Sequence, residues 1–344
     1  MHEYIGCIHI HSTDSDGSKP VPEIIKIGQE AGLDFLMLSD HMTLKSLKAG
    51  QEGWFGKTLV IIGYEINDLK NKNHYLAFNL EEVLPEEMSV AEYVQEVKKR
   101  GGLGIIAHPD EVRNQLPQYP PYPWTAWEVS DFDGIEIWNQ MSEWMEKLTK
   151  FNQLKMVLHP RKSLKGPTAR ILDIWDKEAQ RRKVVGIGGV DAHAHPYKIG
   201  PFRLTIFPYL VQFKSIRTHV LLKGPFSKDF LTAKKQLFSA IKNCNIFISN
   251  YAWGDAKGFE FSVESGDERG TVGDEITISN NAEIKVTTPA IAQLKLIHNG
   301  NLVKVVLDAK LEYVTAEPGV YRVEAYRNDR GWIFSNHIRL KKTV

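Results

Sequence analysis

From Tyr4 to about residue 250, short runs of β-branched and other apolar residues alternate with segments whose apolar positions recur every three to four residues. A period of two marks a half-buried strand and a period near 3.6 an amphipathic helix, so the alternation predicts βα units around a parallel sheet. The predicted strands are 4–10, 35–39, 59–66, 74–80, 103–107, 134–138 and 184–190. Among the helical segments, PEIIKIGQEAG begins at Pro22, which suits a first helical turn, and stops at Gly32. AEYVQEVKKRGG and ILDIWDKEAQRRK end in basic residues that complement the negative end of the helix dipole. After Ser249 the texture changes: residues 261–340 alternate with period two, punctuated by turns at Asn299-Gly300 and Pro318-Gly319. Several short strands without helical repeats between them predict a β-sandwich of immunoglobulin-like size. The boundary is expected in NYAWGDAKG, near residue 254, giving units of 1–254 and 255–344.

Composition narrows this picture. The 344 residues are 42% hydrophobic and 25% charged, enough to bury a large core and too apolar for a disordered chain. Lys and Arg number 43 against 42 Asp and Glu, a net charge of +1 that advertises no broad basic surface for nucleic acid or membrane, although a local basic patch is compatible with it. Cys7 and Cys244 cannot build a disulfide framework. The first residues lack the pattern of a secretory signal, and no run of 18 apolar residues occurs, so the expectation is a soluble, cytoplasmic protein with no membrane partner.

The chemistry gathers where apolar strands meet their loops. His9 and His11 alternate within a strand-like run, so both imidazoles point to one face, a metal half-site. The same alternation puts Cys7 on that face one layer deeper, as barrel packing rather than a ligand. Asp40-His41 follow the second strand, Glu65 ends the third, His74 opens the fourth, His108 follows GLGIIA, and Asp191 and His193 follow VVGIGGV. In (β/α) barrels the carboxyl ends of the strands converge on one rim, which is where active sites are built. Imidazole nitrogens with carboxylate oxygens and no thiolate suit Zn²⁺, Mn²⁺ or Fe²⁺.

Taken together, HIHSTDSDG at 9–17, SDH at 39–41, GYEI at 63–66, His74 in NHYLAF, AHPDE at 107–111 and GVDAHAH at 189–195 resemble the motifs of the polymerase and histidinol phosphatase (PHP) superfamily of metal-dependent phosphoesterases. The resemblance covers roughly residues 1–195, and the last unit is similar to the immunoglobulin-like domain that some members carry. It implies an α/β fold, a distorted (β/α)7 barrel followed by a small all-β sandwich, with three divalent cations at the rim. By that resemblance His9, His11, Glu65 and Asp191 hold one metal, and Glu65 bridges to a second held by His74 and His108. Asp16, His41 and His193 hold the third; Asp14 is the local rival to Asp16, and Asp40 orients a ligand without binding metal.

The reaction implied is hydrolysis of a phosphoester by hydroxide between the first two metals, on a small anionic phosphomonoester or nucleotide. The alternatives are a 3′–5′ exonuclease or oligonucleotide phosphodiesterase using the same centre, and a non-catalytic protein that binds through its β-sandwich. His195 is either a proton donor or phosphate contact or a solvated loop residue, and Arg113, Arg203 and Arg217 are the candidate phosphate clamps. The loop QYPPYPWTAW at 118–127 either stacks on a base or covers the barrel, while Glu136 and Asn139 are placed to shape the pocket. His2, His159, His219, His298 and His337 are read as structural or solvated.

Overall fold

A computed structural model of the protein describes residues 1–113, 119–199 and 202–342, the side chains of 197–204 excepted. Seven strands close a barrel: β1 (His2–Ile10), β2 (Phe35–His41), β3 (Thr58–Ile66), β4 (Tyr75–Phe78), β5 (Leu103–Ile106), β6 (Gly134–Asn139) and β7 (Val185–Ala192). Neighbours run parallel round the ring, β7 closing on β1, except that β4 is antiparallel to both β3 and β5.

Period-two alternation sorts the side chains of these strands. Ile8, Phe35, Met37, Leu59, Ile61, Leu76, Ile105 and Ile187 fill the interior together with Leu237 and Ile241 of the helix Phe230–Lys242. Leu36, Leu38, Val60, Ile62 and Ile135 face outward with the helical residues Ile24, Val94 and Trp175. The surrounding helices begin where side chains satisfy their first free N–H groups: Ser89 and Glu92 form a capping box at Val90–Lys99, and Thr168 caps Ala169–Arg181.

Two further strands carry the sheet beyond the barrel. Ile216–Leu222 pairs antiparallel with the first half of β1, Ile246–Asn250 pairs with it, and Arg330–Ser335 of the carboxyl-terminal region pairs with Ile246–Asn250. That region consists of strands from Glu260 to Lys342 around its own apolar cluster, including Phe261, Leu294, Val323 and Trp332. Its long hairpin, Ala282–His298 with Asn301–Thr315, turns at Asn299 and Gly300, whose φ values of 50° and 85° are those such a tight turn requires. A buried polar network ties it to the barrel. Asp176 receives both Nε and Nη2 of Arg322, at 2.7 and 2.8 Å, and Nε2 of His337 lies 2.7 Å from the same carboxylate.

Candidate metal centre

The ligand-type side chains meet at one rim because the barrel geometry collects them there. Parity along β1 should send Ile8 and Ile10 inward, yet only Ile8 joins the interior cluster. At His9 the backbone turns to φ 69°, the register against β7 slips between Ile8 and Ile10, and this bulge swings both His9 and His11 toward the axis. Cys7 therefore does not share their face. It lies on the outer side with its Sγ 3.6 Å from the Ile216 carbonyl, and burial pushes its thiol up to about 12. Its exclusion as a ligand stands on that outward direction, not on the deeper layer expected from alternation. His74 precedes β4, the strand that runs against its neighbours, so the start of that strand lies at the same rim as the ends of the others. His108 and Asp191, at φ 26° and 51°, also occupy the left-handed region that non-glycine residues seldom adopt.

Glu65 is the hub, 1% exposed. Its Oε2 lies 3.1 Å from His9 Nε2, 3.2 Å from His11 Nε2 and 3.4 Å from His41 Nδ1, while its Oε1 lies 2.7 Å from His74 Nδ1 and 3.1 Å from His108 Nε2. Asp191 Oδ1 faces the first two histidines from another side, 3.5 Å from His9 Nε2 and 3.4 Å from His11 Nε2. Asp16 Oδ1 is 3.2 Å from His193 Nε2, and its Oδ2 is 3.7 Å from His41 Nε2. Nine candidate residues thus converge into four overlapping groups of possible donor atoms: His9, His11 and Asp191; His9, Glu65 and His108; His41, Glu65 and His74; and His11, Asp16, His41 and His193.

The electrostatics are those of a site that holds cations. Burial opposes charge on His9, but Glu136, Asp191 and Glu65 hold it protonated well above the usual imidazole range. Against the same burial, Asp191 and Glu65 push His11 up to about 10, and Glu65 with Glu111 pushes His108 up to about 9. Burial takes His41 the other way, down to about 4. The histidines in turn hold Glu65, Asp191 and Asp16 far below ordinary carboxylates despite their burial. Both ring nitrogens of His11 and Nδ1 of His108 are buried without a hydrogen-bond partner among the described residues. Buried polar atoms are rarely left so, and here a divalent cation with nitrogen and oxygen ligands fits the donor set.

Further side chains hold these in place. Glu136, fully buried, accepts from His9 Nδ1 at 2.9 Å through Oε1, and from the His108 amide at 2.6 Å and Asn139 Nδ2 at 2.9 Å through Oε2. Gly189 makes room for it, since a Cβ there would fall 1.5 Å from Glu136 Oε1. That glycine, in GIGGVDA, was the available sequence signal for a close-packed group beside the site. Asp40 contacts no candidate ligand's ring. It accepts from the Ser12 amide, Ser12 Oγ and Ser15 Oγ at 2.6–2.7 Å, pinning the loop between His11 and Asp16. Asn67 and Asn71, which sequence patterning gave no reason to select, lie 2.9 and 3.0 Å from His41 Nδ1 and His74 Nε2. Asp14 points away, to Ser46 Oγ and Lys45 Nζ.

The cluster forms one side of a cleft of about 540 Å³ whose other side is apolar: Met141, Trp144, Met145, Leu148 and Ile206, with Tyr119 and Tyr122. The aromatic loop divides its labour. Trp124 is 2% exposed against Tyr75 and covers the barrel, whereas Tyr122 stacks on His74 with ring centroids 5.0 Å apart; Gln118 lies outside the described residues. Arg113 lines the cleft, paired with Glu111, and its buried Nε has no partner among the described residues. Arg217 is not at the rim. It is buried, donating to the Phe213 and Ala31 carbonyls at 2.8 Å and stacking on Tyr251, because its strand lies outside the ring on the flank of β1. The side chain of Arg203 is outside the described set. His195 lines the cleft with its ring 5.1 Å from that of His193, and burial together with that neighbour holds its pKa below the ordinary value.

No family model matches the sequence. An uncharacterized protein of Methanocaldococcus jannaschii is 26% identical over 150 residues, which cover 38% of this chain and 80% of that one. A two-domain protein of Bacteroides vulgatus containing a predicted PHP-like metal-dependent phosphoesterase aligns over 98% of this chain and 95% of its own, with 15% identity and a TM-score of 0.47. An amidohydrolase from Chromobacterium violaceum with bound sulfate aligns over 60% of this chain and 96% of its own, with 12% identity and a TM-score of 0.34.

Proposed function

We propose that the protein is a hydrolase that cleaves a small phosphomonoester or nucleotide at a centre of three divalent cations, Zn²⁺, Mn²⁺ or Fe²⁺. The observation that carries the reading is the division of Glu65: one oxygen faces His9, His11 and His41, the other His74 and His108, so one carboxylate joins two sets of candidate metal donors. In this assignment His9, His11, Glu65 and Asp191 would hold one cation, Glu65, His74 and His108 the second, and Asp16, His41 and His193 the third. Divalent cations there supply the neutralisation of phosphate charge and a water of lowered pKa. Glu136 accepts from His9 Nδ1, so that when a cation displaces the second proton of the ring Nε2 would be the nitrogen that faces it. Arg113 is placed to bind a phosphate oxygen, and His195 to return a proton to the leaving oxygen. The wall of Met141, Met145, Leu148 and Tyr122 takes the rest of the substrate.

Arg113 is the sole Arg or Lys among the described residues lining the cleft. Long polynucleotides need several phosphate contacts, so this supports a small substrate over a polymer. We also read the chain as a barrel unit, 1–254, and an immunoglobulin-like sandwich, 255–344, a division supported by the apolar cluster of the carboxyl-terminal strands, to whose buried members the first unit adds only Leu221 and Phe247. The test is a panel of phosphomonoesters, nucleotides and short oligonucleotides assayed with Mn²⁺, Zn²⁺ or Fe²⁺ against Asp191→Ala. Turnover of a monoester that Asp191→Ala abolishes is the expected result; no turnover by metal-replete wild type refutes it.

A further inference from the structure

Between Glu146 and Asp173 the chain has seven basic residues and no acidic one, in a protein whose net charge is +1. This stretch is an excursion from the barrel that includes the short helix Gln153–Leu158. Its inner side is apolar and well packed: Leu148 and Met156 cluster with Trp144 and Phe207, and Trp144 and Leu148 also line the cleft. Its outer side is apolar too, but bare. Phe151 is 101% exposed, Leu154 64% and Leu158 61%. Leu154 and Leu158, four residues apart, share one helical face, opposite the buried Met156. Lys147 and Arg170 are committed to Glu143 and Asp110, whereas the exposed Lys150, Lys155, Lys162 and Lys165 have no acidic partner among the described residues.

We infer that this face docks on an anionic lipid bilayer. Three large apolar side chains in water together with four unneutralised lysines need a partner that satisfies both. A second copy in a two-fold contact would set lysines against lysines. Nucleic acid would satisfy the lysines and stack on Phe151, but gives aliphatic Leu154 and Leu158 nothing to stack on. A bilayer surface takes the apolar side chains into its acyl boundary and the lysines among its headgroup charges. No helix among the described residues is long and apolar enough to cross a membrane, so the contact is one of lying on the surface. This departs from the expectation of no membrane partner, because a net charge averages away a patch confined to one excursion. The inference does not depend on the reaction proposed above.

The experiment is co-sedimentation of the full chain with vesicles of phosphatidylcholine alone or mixed with phosphatidylserine. Binding is expected only with phosphatidylserine and should fade as salt is raised. F151S/L154S/L158S should lower partitioning by at least about tenfold and K150E/K155E/K162E by about 100-fold, with the thermal transition unmoved because all six side chains are exposed. Should a multiple variant fail to fold, Phe151→Ser alone, at a fully exposed position, is expected to weaken binding. No binding to phosphatidylserine vesicles, equal partitioning of wild type and folded variants, or tighter binding to a single-stranded oligonucleotide that ignores L154S/L158S would each overturn the proposal.

Discussion

Glu136→Gln tests whether the groups behind the ligands set their chemistry. The substitution keeps the shape of a fully buried side chain and changes one acceptor oxygen into a donor. The carboxylate now accepts three hydrogen bonds, from His9 Nδ1, the His108 amide and Asn139 Nδ2. Whichever way the new amide is turned, its NH₂ meets a donor. Facing His108 and Asn139, it leaves two buried N–H groups without an acceptor. Facing His9, it requires the imidazole to give up its Nδ1 proton and leaves the remaining one on Nε2, the nitrogen aimed at Glu65 and Asp191. An unsatisfied buried donor costs about 1–3 kcal/mol, so the metal-free protein should lose about that much stability in urea denaturation. Loss of the orienting carboxylate should lower metal affinity by about 10–100-fold, read by competition with a chromogenic chelator. A variant within about twofold of wild type in affinity and about 0.5 kcal/mol in stability would refute the reasoning.

Other sites yield predictions that separate stability from activity. Asp176→Ala leaves Arg322, whose side chain is 3% exposed, with only Glu324 as a charged partner among the described residues, and should destabilise the protein by about 3 kcal/mol in denaturant, the low end for breaking a buried pair. Despite its burial, Arg322 and His337 hold the Asp176 carboxyl down to about 2 from the ordinary 3.8, a difference worth about 2.5 kcal/mol. That contribution is complete above about pH 4 and lost as pH falls toward 2, so the gap between wild type and Asp176→Ala should close over that range. Arg113→Met should raise KM for a phosphoester about tenfold, along with some loss of stability because the buried Glu111 loses its cation, while Arg217→Met should cost about 2 kcal/mol of stability and leave KM alone. The reverse pattern would show that the two arginines are misassigned.

How much was legible in the sequence depends on whether a rule was local. The helical segments from Ala91 and Ile171 and the turn at Asn299-Gly300 follow from local periodicity and turn chemistry, so they can be read without the fold, and the structure adds the caps at Ser89 and Thr168 just ahead of the two helices. The predicted barrel strands fall within about two residues of those observed, since alternation is imposed by the barrel's two faces. Most of the histidines and acids of the candidate centre were singled out because they sit where an apolar run meets its loop, whereas Asp16, in the loop after β1, came from the family resemblance.

Where a residue's role depended on a distant partner, sequence spacing was silent or misleading. Alternation placed Cys7 with His9 because period two assumes an unbroken strand, and the bulge at His9 exists only through the slipped register against β7, some 180 residues away. Arg217 lies in a family-like run, yet the direction of its strand on the flank of β1 buries it. Glu136 and His9, 127 residues apart, are joined only when the barrel closes. Residue types at strand ends thus determined which chemistry is available, because that follows from composition and local periodicity. Ring closure decided which atoms meet, because long-range register and the antiparallel β4 carry no local signature.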